Sequence, residues 1–211
     1  MGFWDFLLYT TPTSMLLVAV AYMAVSSYLA HAMSKVASVA VDANPGQYGM
    51  YYEDVNFPAR DDGLSLRGWL VPGRLDYPHV VIVHGAGQHR ADATVATLGL
   101  TRALSENGYS VLLFDLRGHG ESDQARMSAG YYERRDVLGA VDFLASRGVA
   151  PQKIAFLGFS LGAVAALLAA GDAGVCSVIA DSAFSDLREV IRQRSRSSRS
   201  LAMLLPGMLL M

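Results

Sequence analysis

Short apolar runs alternate with longer amphipathic stretches along most of this sequence, and this alternation is the feature that most restricts its fold. Short apolar runs between turn residues are typical of buried strands, and apolar residues at every third or fourth position are typical of helices. The predicted strands are 51–57, 64–71, 79–83, 110–116, 153–159 and 177–181, and the predicted helices are 91–106, 131–146 and 161–170. Because the two alternate, we expect an α/β fold with a mostly parallel sheet and helices on both faces. The first two strands flank Asp61-Asp62-Gly63, so we expect that pair to be antiparallel.

The composition is that of a folded chain with room for one core and an appendage. Hydrophobic residues make up 52% of the 211 positions and charged residues 17%, which excludes a disordered chain. The net charge of −2 gives no electrostatic reason to expect a nucleic-acid partner. A single cysteine, Cys176, excludes an internal disulfide and a cysteine-based zinc site. The sequence also lacks a metal-binding motif and a glycine-rich phosphate loop, so we expect neither a metal nor a cofactor.

The amino-terminal segment is apolar and uncharged over a length that fits a membrane. No Asp, Glu, Lys or Arg occurs between Asp5 and Lys35, and about twenty helical residues cross a hydrocarbon core about 30 Å thick. We therefore expect an uncleaved single-pass anchor that contacts the membrane through residues 13–34, with its orientation undetermined. Two alternatives stay open. One is a cleaved signal peptide ending near Ala30-His31-Ala32, which the acidic Asp5 disfavours, and the other is a helix buried in a soluble core.

The sequence Gly-Phe-Ser-Leu-Gly at 158–162 lies directly after one predicted strand and directly before a predicted helix. In this context the G-x-S-x-G pattern forms a tight turn, and its glycines, Gly158 and Gly162, allow the close packing that exposes the central hydroxyl. The turn also places Ser160 at a helix amino terminus, where the helix dipole favours developing negative charge. Ser160 is therefore the candidate nucleophile.

A second motif, His-Gly-Ala-Gly at 84–87, follows the predicted strand 79–83. Acyl transfer through a serine needs two N–H donors for the oxyanion of the tetrahedral intermediate. We expect the Ala86 amide to supply one donor and the Leu161 amide, directly after the serine, to supply the other. Gly85 lets the backbone approach the substrate. His84 is expected to orient this loop by hydrogen bonding rather than to act as a base.

A third motif, Asp-Leu-Arg-Gly-His-Gly-Glu-Ser at 115–122, ends the next predicted strand. With these three motifs in this order, residues 51–184 resemble the α/β-hydrolase superfamily, in particular its membrane-anchored Bem46-like serine hydrolases. The resemblance implies hydrolysis of a small or lipid-like acyl substrate, an ester, thioester or amide, through an acyl-enzyme. It also implies that Asp115 and His119 lie in a structural loop beside the active site. Asp181 is a weak candidate for the triad acid, because the acid of such proteins usually follows one strand later.

The order of the catalytic triad in such hydrolases is Ser, then Asp or Glu, then His. All five histidines of this chain, His31, His79, His84, His89 and His119, precede Ser160. The fold also normally continues through two more strand–helix units. We therefore expect the last strands, with the acid and the base, to lie beyond Met211 of a longer enzyme. The alternative is a shortened, non-catalytic membrane-associated binding or interaction module.

Three segments are expected along the chain: a membrane anchor and linker at 1–40, the hydrolase core at 41–184, and the start of a lid at 185–211. The last segment holds a serine-rich run with five arginines, followed by an apolar tail at 201–211. The arginines are Arg188, Arg192, Arg194, Arg196 and Arg199. A solvated helix face is the favoured interpretation of this run, and an anionic-lipid patch is the alternative. No nucleic-acid partner is expected, because no aromatic platform accompanies the arginines.

Overall fold

The computed structural model describes residues 3–36, 38–74, 76–190 and 192, and it divides the chain into two compact units, Met1–Lys35 and Val36–Met211. The first unit holds one helix, α1 (Phe3–Ser34). Within it, Pro12–Ala32 has a mean hydropathy of 1.6 and none of it is buried, so it is long and apolar enough to cross a membrane. A signal sequence near an amino terminus has the same properties. A helix buried in a soluble core would instead be mostly covered by other residues.

The second unit is built on a six-stranded sheet with the order β1-β2-β4-β3-β5-β6. Its strands are β1 (Glu53–Pro58), β2 (Ser65–Val71), β3 (His79–Val83), β4 (Ser110–Phe114), β5 (Ile154–Phe159) and β6 (Ser177–Asp181). Its helices are α2 (Thr97–Glu106), α3 (Glu133–Ser146) and α4 (Leu161–Ala173). The pairs β1·β2 and β2·β4 are antiparallel, and the pairs β3·β4, β3·β5 and β5·β6 are parallel. The prediction of a mostly parallel α/β sheet with an antiparallel opening pair is confirmed.

Both faces of the central strands are buried, which explains why their sequences are continuously apolar. Alternate side chains of a strand point to opposite faces, so β3 and β4 each contribute to two hydrophobic clusters. One cluster joins Val81, Val83, Leu112 and Phe114 to α3 and α4, and the other joins Val80, Ile82, Val111 and Leu113 to α2. Helices therefore cover both faces of the sheet, as the sequence predicts.

Element boundaries differ from the predicted ones where local side-chain hydrogen bonds compete with regular structure. The predicted helix 91–106 begins only at Thr97, because the Asp92 carboxylate accepts the Thr94 N–H at 2.8 Å and the Asp92 carbonyl accepts the Thr97 N–H at 3.0 Å. A short 3-10 helix, Pro45–Tyr48, precedes β1, and its first turn is capped by Asn44. In the lid segment, the described residues end at 192. Arg194, Arg196, Arg199 and the apolar tail 201–211 lie outside them.

Candidate active site

Ser160 occupies the sharp turn between β5 and α4. Its φ of 51° and ψ of −112° lie in a region that residues with a side chain rarely adopt. The Ser160 N–H donates to the Asp181 carbonyl at the end of β6, at 2.8 Å, and the Ser160 carbonyl accepts the Val164 N–H as the first bond of α4, at 3.1 Å. These two bonds hold the strained turn. The side chain is half-buried, and its hydroxyl forms no hydrogen bond with the described residues.

The two glycines of the turn are needed because the backbone passes too close to its neighbours for a side chain. A Cβ at Gly158 would lie 2.5 Å from the Gly162 carbonyl oxygen, closer than two such atoms can approach. A Cβ at Gly162 would collide with the carbonyl oxygens of Val83 and His84 at the end of β3. The amino terminus of α4 is therefore docked directly against the end of β3, where the second motif begins.

The loop after β3 lies against the serine. A Cβ at Gly85 would be 3.5 Å from the Ser160 Cβ, which is ordinary van der Waals contact, so the backbone of this loop runs within one atom of the serine. Within the described part of the chain, neither the Ala86 N–H nor the Leu161 N–H donates a hydrogen bond. The structure thus places two unengaged backbone donors on the two elements that meet at Ser160, and such donors are suited to an oxyanion.

Both ring nitrogens of His84 are engaged by the backbone. The Leu116 N–H donates to Nε2 at 3.0 Å, so the proton of the neutral ring lies on Nδ1, which donates to the Gly85 carbonyl at 2.7 Å. Only 2% of the residue is exposed, and burial lowers the pKa of His84 to about 3. A ring with both nitrogens engaged cannot take a proton from Ser160, which fits an orienting role for His84.

Asp115 is fully buried at the end of β4 and serves as an anchor for the neighbouring loops. Its carboxylate accepts the Arg90 N–H at 2.7 Å and the Glu121 N–H at 2.9 Å, and it forms an ion pair with the Arg90 guanidinium. Burial raises the pKa of Asp115, and the positive charge of Arg90 opposes this shift. The side chain points into the protein and toward these partners, so its contribution to the site is structural.

Arg90 is a supporting residue that the sequence reasoning missed. Its guanidinium bridges Asp115 and Glu121 and lies 4.1 Å above the Trp69 ring, and only 4% of the residue is exposed. A buried carboxylate such as Asp115 is usually paired with a cation, so a basic partner for Asp115 could have been expected. Among several arginines in the sequence, however, only the tertiary structure identifies the partner.

Asp181 is close to Ser160 through its backbone alone. Its side chain is exposed and accepts the Ser182 hydroxyl at 2.8 Å, and no histidine contact to it is present among the residues described. The same part of the chain contains no group of three or more His, Cys, Asp or Glu side chains that could hold a metal ion. The candidate site therefore combines the predicted serine and two backbone donors with the residues that support them.

A model of the alpha/beta hydrolase family matches residues 80–210, which is more than half of the chain. The chain belongs to the alpha/beta hydrolase family. The match begins in β3 and includes both the loop after that strand and the turn that carries Ser160. The superfamily expected from the three motifs is thus confirmed for this alpha/beta hydrolase.

Several relatives are similar to this alpha/beta hydrolase over part of their length. It is 32% identical to the uncharacterized protein YfhR of Escherichia coli over 148 residues, which cover 67% of this chain and 50% of YfhR. It is 34% identical to a thiohydrolase of Aspergillus aculeatus over 122 residues, which cover 56% of this chain and 37% of that protein. The alpha/beta hydrolase described here spans about half the length, or less, of the curated relatives it matches.

An esterase of Pyrococcus furiosus has a similar structure. It superimposes with a TM-score of 0.69 at 28% sequence identity, covering 84% of this alpha/beta hydrolase and 66% of the esterase chain. An α/β hydrolase from Penicillium superimposes with a TM-score of 0.58 at 27% identity, covering 72% and 55% of the two chains. The sheet and helices described above are therefore those of the α/β-hydrolase fold.

Proposed function

We propose that this protein is a membrane-anchored serine hydrolase that cleaves an ester, thioester or amide through an acyl-enzyme. The Ser160 Oγ forms a bond to the substrate carbonyl carbon, and the Ala86 and Leu161 amides stabilise the resulting oxyanion. The leaving alcohol, thiol or amine departs with the proton lost by Ser160, and water then releases the acid. The observation that carries this proposal is the strained Ser160 turn at the start of α4, with unengaged amides at Leu161 and in the adjacent loop after β3.

The names of the relatives support the chemical class of the substrate. An esterase cleaves the bond between an acyl group and an alcohol oxygen. A thiohydrolase cleaves the bond between an acyl group and a thiol sulfur. An acyl substrate, small or lipid-like, would suit the same serine chemistry here. His84 cannot serve as the base, because both of its ring nitrogens are already hydrogen-bonded. Another residue must therefore act as the base.

The test is active-site labelling of the protein expressed from its own gene. Membranes containing it are treated with a fluorophosphonate, which reacts with activated serines, and the modified peptide is identified by mass spectrometry. We expect the label on Ser160 and its loss in Ser160→Ala. The matched control is Ser146→Ala, at the exposed end of α3, where the hydroxyl donates only to the Phe143 carbonyl. Equal labelling of wild type and Ser160→Ala would contradict the proposal.

A non-catalytic binding module is the second candidate function. It is favoured by one observation, that His84, in the loop after β3, is buried with both of its ring nitrogens hydrogen-bonded to the backbone. Without a base, a triad hydrolase loses several orders of magnitude in rate. A protein that binds to membranes and stays unlabelled by the fluorophosphonate would favour this second function over the first.

A further inference from the structure

Two buried histidines tie the loop beside Ser160 to the loop that follows β4. The first loop, at 84–88, follows β3, and the second, at 115–122, follows β4. His84 of the first loop accepts the Leu116 N–H of the second at 3.0 Å, and His119 of the second accepts the Gly87 N–H of the first at 3.1 Å. Each loop therefore supplies a ring to the backbone of the other.

The two rings also pack against each other and are closed off from water. Their centroids are 5.0 Å apart with an angle of 65° between the planes, an edge-to-face arrangement. His84 is 2% exposed and His119 is 1% exposed. The remaining nitrogen of each ring, Nδ1, donates to a carbonyl of its own loop: Gly85 for His84 and Arg117 for His119, the latter at 2.9 Å. All four ring nitrogens are satisfied.

We propose that His119 is a positioning residue for acyl transfer, which holds the 84–88 loop so that the Ala86 N–H stays beside Ser160. This inference rests on the function proposed above. By accepting the Gly87 N–H, His119 fixes the peptide unit that follows Ala86. It also engages the Gly87 N–H itself, so that this amide is not available to an oxyanion. The loop then contributes one donor, Ala86, and Leu161 contributes the other.

This positioning role requires the His119 ring to be neutral with its proton on Nδ1. A backbone N–H can only donate, so Nε2 of each histidine must be the acceptor and the single proton must lie on Nδ1. A protonated ring would present an N–H to the Gly87 N–H and break the bond. Burial lowers the pKa of both His84 and His119, which favours this neutral form.

A first experiment determines the form of the rings without reference to activity. Nitrogen-15 chemical shifts and two-bond couplings of the histidine side chains, recorded at pH 7 on the full chain in detergent, distinguish the two neutral tautomers from the cation. We expect both His84 and His119 in the Nδ1–H tautomer. If His119 is protonated on Nε2 or is cationic, it cannot accept the Gly87 N–H, and the inference is overturned.

A second experiment separates positioning from simple stability with two conservative variants. In His119→Gln the side-chain oxygen reaches the place of Nε2 and can still accept the Gly87 N–H. In His119→Asn the side chain reaches only the place of Nδ1, so the bond to Gly87 is lost while the bond to Arg117 can form. A displaced catalytic group can slow a reaction by about 100-fold. We expect His119→Asn to slow fluorophosphonate labelling of Ser160 by about this factor, and His119→Gln to recover at least about tenfold of the loss.

Hydrogen exchange of the Gly87 amide is measured on the same three proteins. Protection in wild type and in His119→Gln, with faster exchange in His119→Asn, is the expected pattern. Equal labelling rates in the two variants, or equal exchange at Gly87, would overturn the positioning role. If wild type itself is not labelled at Ser160, the proposed function fails and the catalytic role of His119 fails with it. Labelled wild type with equal variants defeats only the role of His119.

Discussion

At the scale of single residues, the site depends on backbone conformations and ring protonation that are each unfavourable in isolation. Ser160 adopts positive φ and is kept there by the bonds to Asp181 and Val164. His84 is buried in neutral form, although a histidine in water takes up a proton near pH 6.5. Such features are maintained only because the surrounding structure fixes them, and they are common at functional sites.

The strain at Ser160 is predicted to reverse the usual stability order of alanine and glycine. Positive φ destabilises any residue with a Cβ by about 1 kcal/mol or more. A glycine is destabilised by only roughly 0.5–1 kcal/mol, because it makes the unfolded chain more flexible. We therefore expect Ser160→Gly to have a higher free energy of unfolding than Ser160→Ala, measured by urea denaturation. At Ser146, in the last turn of α3, Ser146→Ala should instead be more stable than Ser146→Gly. The same order at both positions would argue against strain at Ser160.

The buried histidines predict a loss of stability in acid. The pKa of His119 lies below its usual value in the folded protein, so as the pH falls below about 6.5 the unfolded chain takes up a proton that the folded protein does not. Unfolding is thereby favoured. Between pH 7 and 5, the free energy of unfolding of wild type should decrease more steeply than that of His119→Gln, by at most about 1.4 kcal/mol per pH unit. Parallel curves would mean that His119 titrates normally in the folded protein.

At the scale of elements, the position of Ser160 depends on how closely α4 packs against the sheet. The helix is rich in alanine, and four of these residues are fully buried: Ala163, Ala165, Ala166 and Ala169. Small side chains let the helix axis approach the sheet, and Gly162 lets its first turn touch the end of β3. The turn that carries the serine is thus held by the whole length of the helix.

Two glycines of the same helix are predicted to respond oppositely to alanine. At Gly162 a methyl group would collide with the Val83 and His84 carbonyl oxygens, so Gly162→Ala should lower the free energy of unfolding by about 2 kcal/mol or more. At Gly171 nothing lies within 4 Å of the added carbon, and Gly171→Ala should raise it by about 0.5 kcal/mol through helix propensity. Denaturation curves of both variants test this. A stable Gly162→Ala would show that α4 is not in direct contact with β3.

At the scale of the whole molecule, a hydrolase core follows a helix that is apolar along 21 residues. The core is stabilised by burial on both faces of its sheet. The described side chains of Pro12–Ala32, by contrast, are largely exposed, including Val20 and Met23. An exposed apolar surface of this length is unfavourable in water and suits a lipid environment. We propose membrane attachment through this helix for that reason.

Charges placed in the helix are predicted to release the protein from membranes. An arginine at the centre of a spanning helix disfavours insertion by about 3 kcal/mol, so Val20→Arg together with Met23→Arg should move the protein from the carbonate-resistant membrane fraction to the soluble one. Tyr51→Arg, at a residue exposed outside the helix, should have no such effect. The intact mass of the mature protein separates the remaining alternatives, since a chain lacking its amino-terminal segment would identify a signal sequence. Retention of the double variant in membranes would contradict the anchor.

Much of this architecture could be predicted because its signals are local. The strands β3 and β6 have the bounds that their apolar runs predict, and the serine turn lies where one strand ends and a helix begins. The start of α2 could not be predicted, because the Asp92 turn replaces its first six residues. Hydrophobic periodicity does not register such a competition between side-chain and helical hydrogen bonds.

The sequence by itself determined the α/β class, the family and the place of Ser160, because strand and helix periods and the glycines of a tight turn are properties of neighbouring residues. Only the tertiary structure decided which groups support the serine. The bonds from Leu116 to His84 and from Gly87 to His119 each join residues 32 positions apart, and Arg90 pairs with Asp115 across 25 positions. These pairs meet because β3 and β4 are adjacent parallel strands, so the loops that follow them lie at the same edge of the sheet.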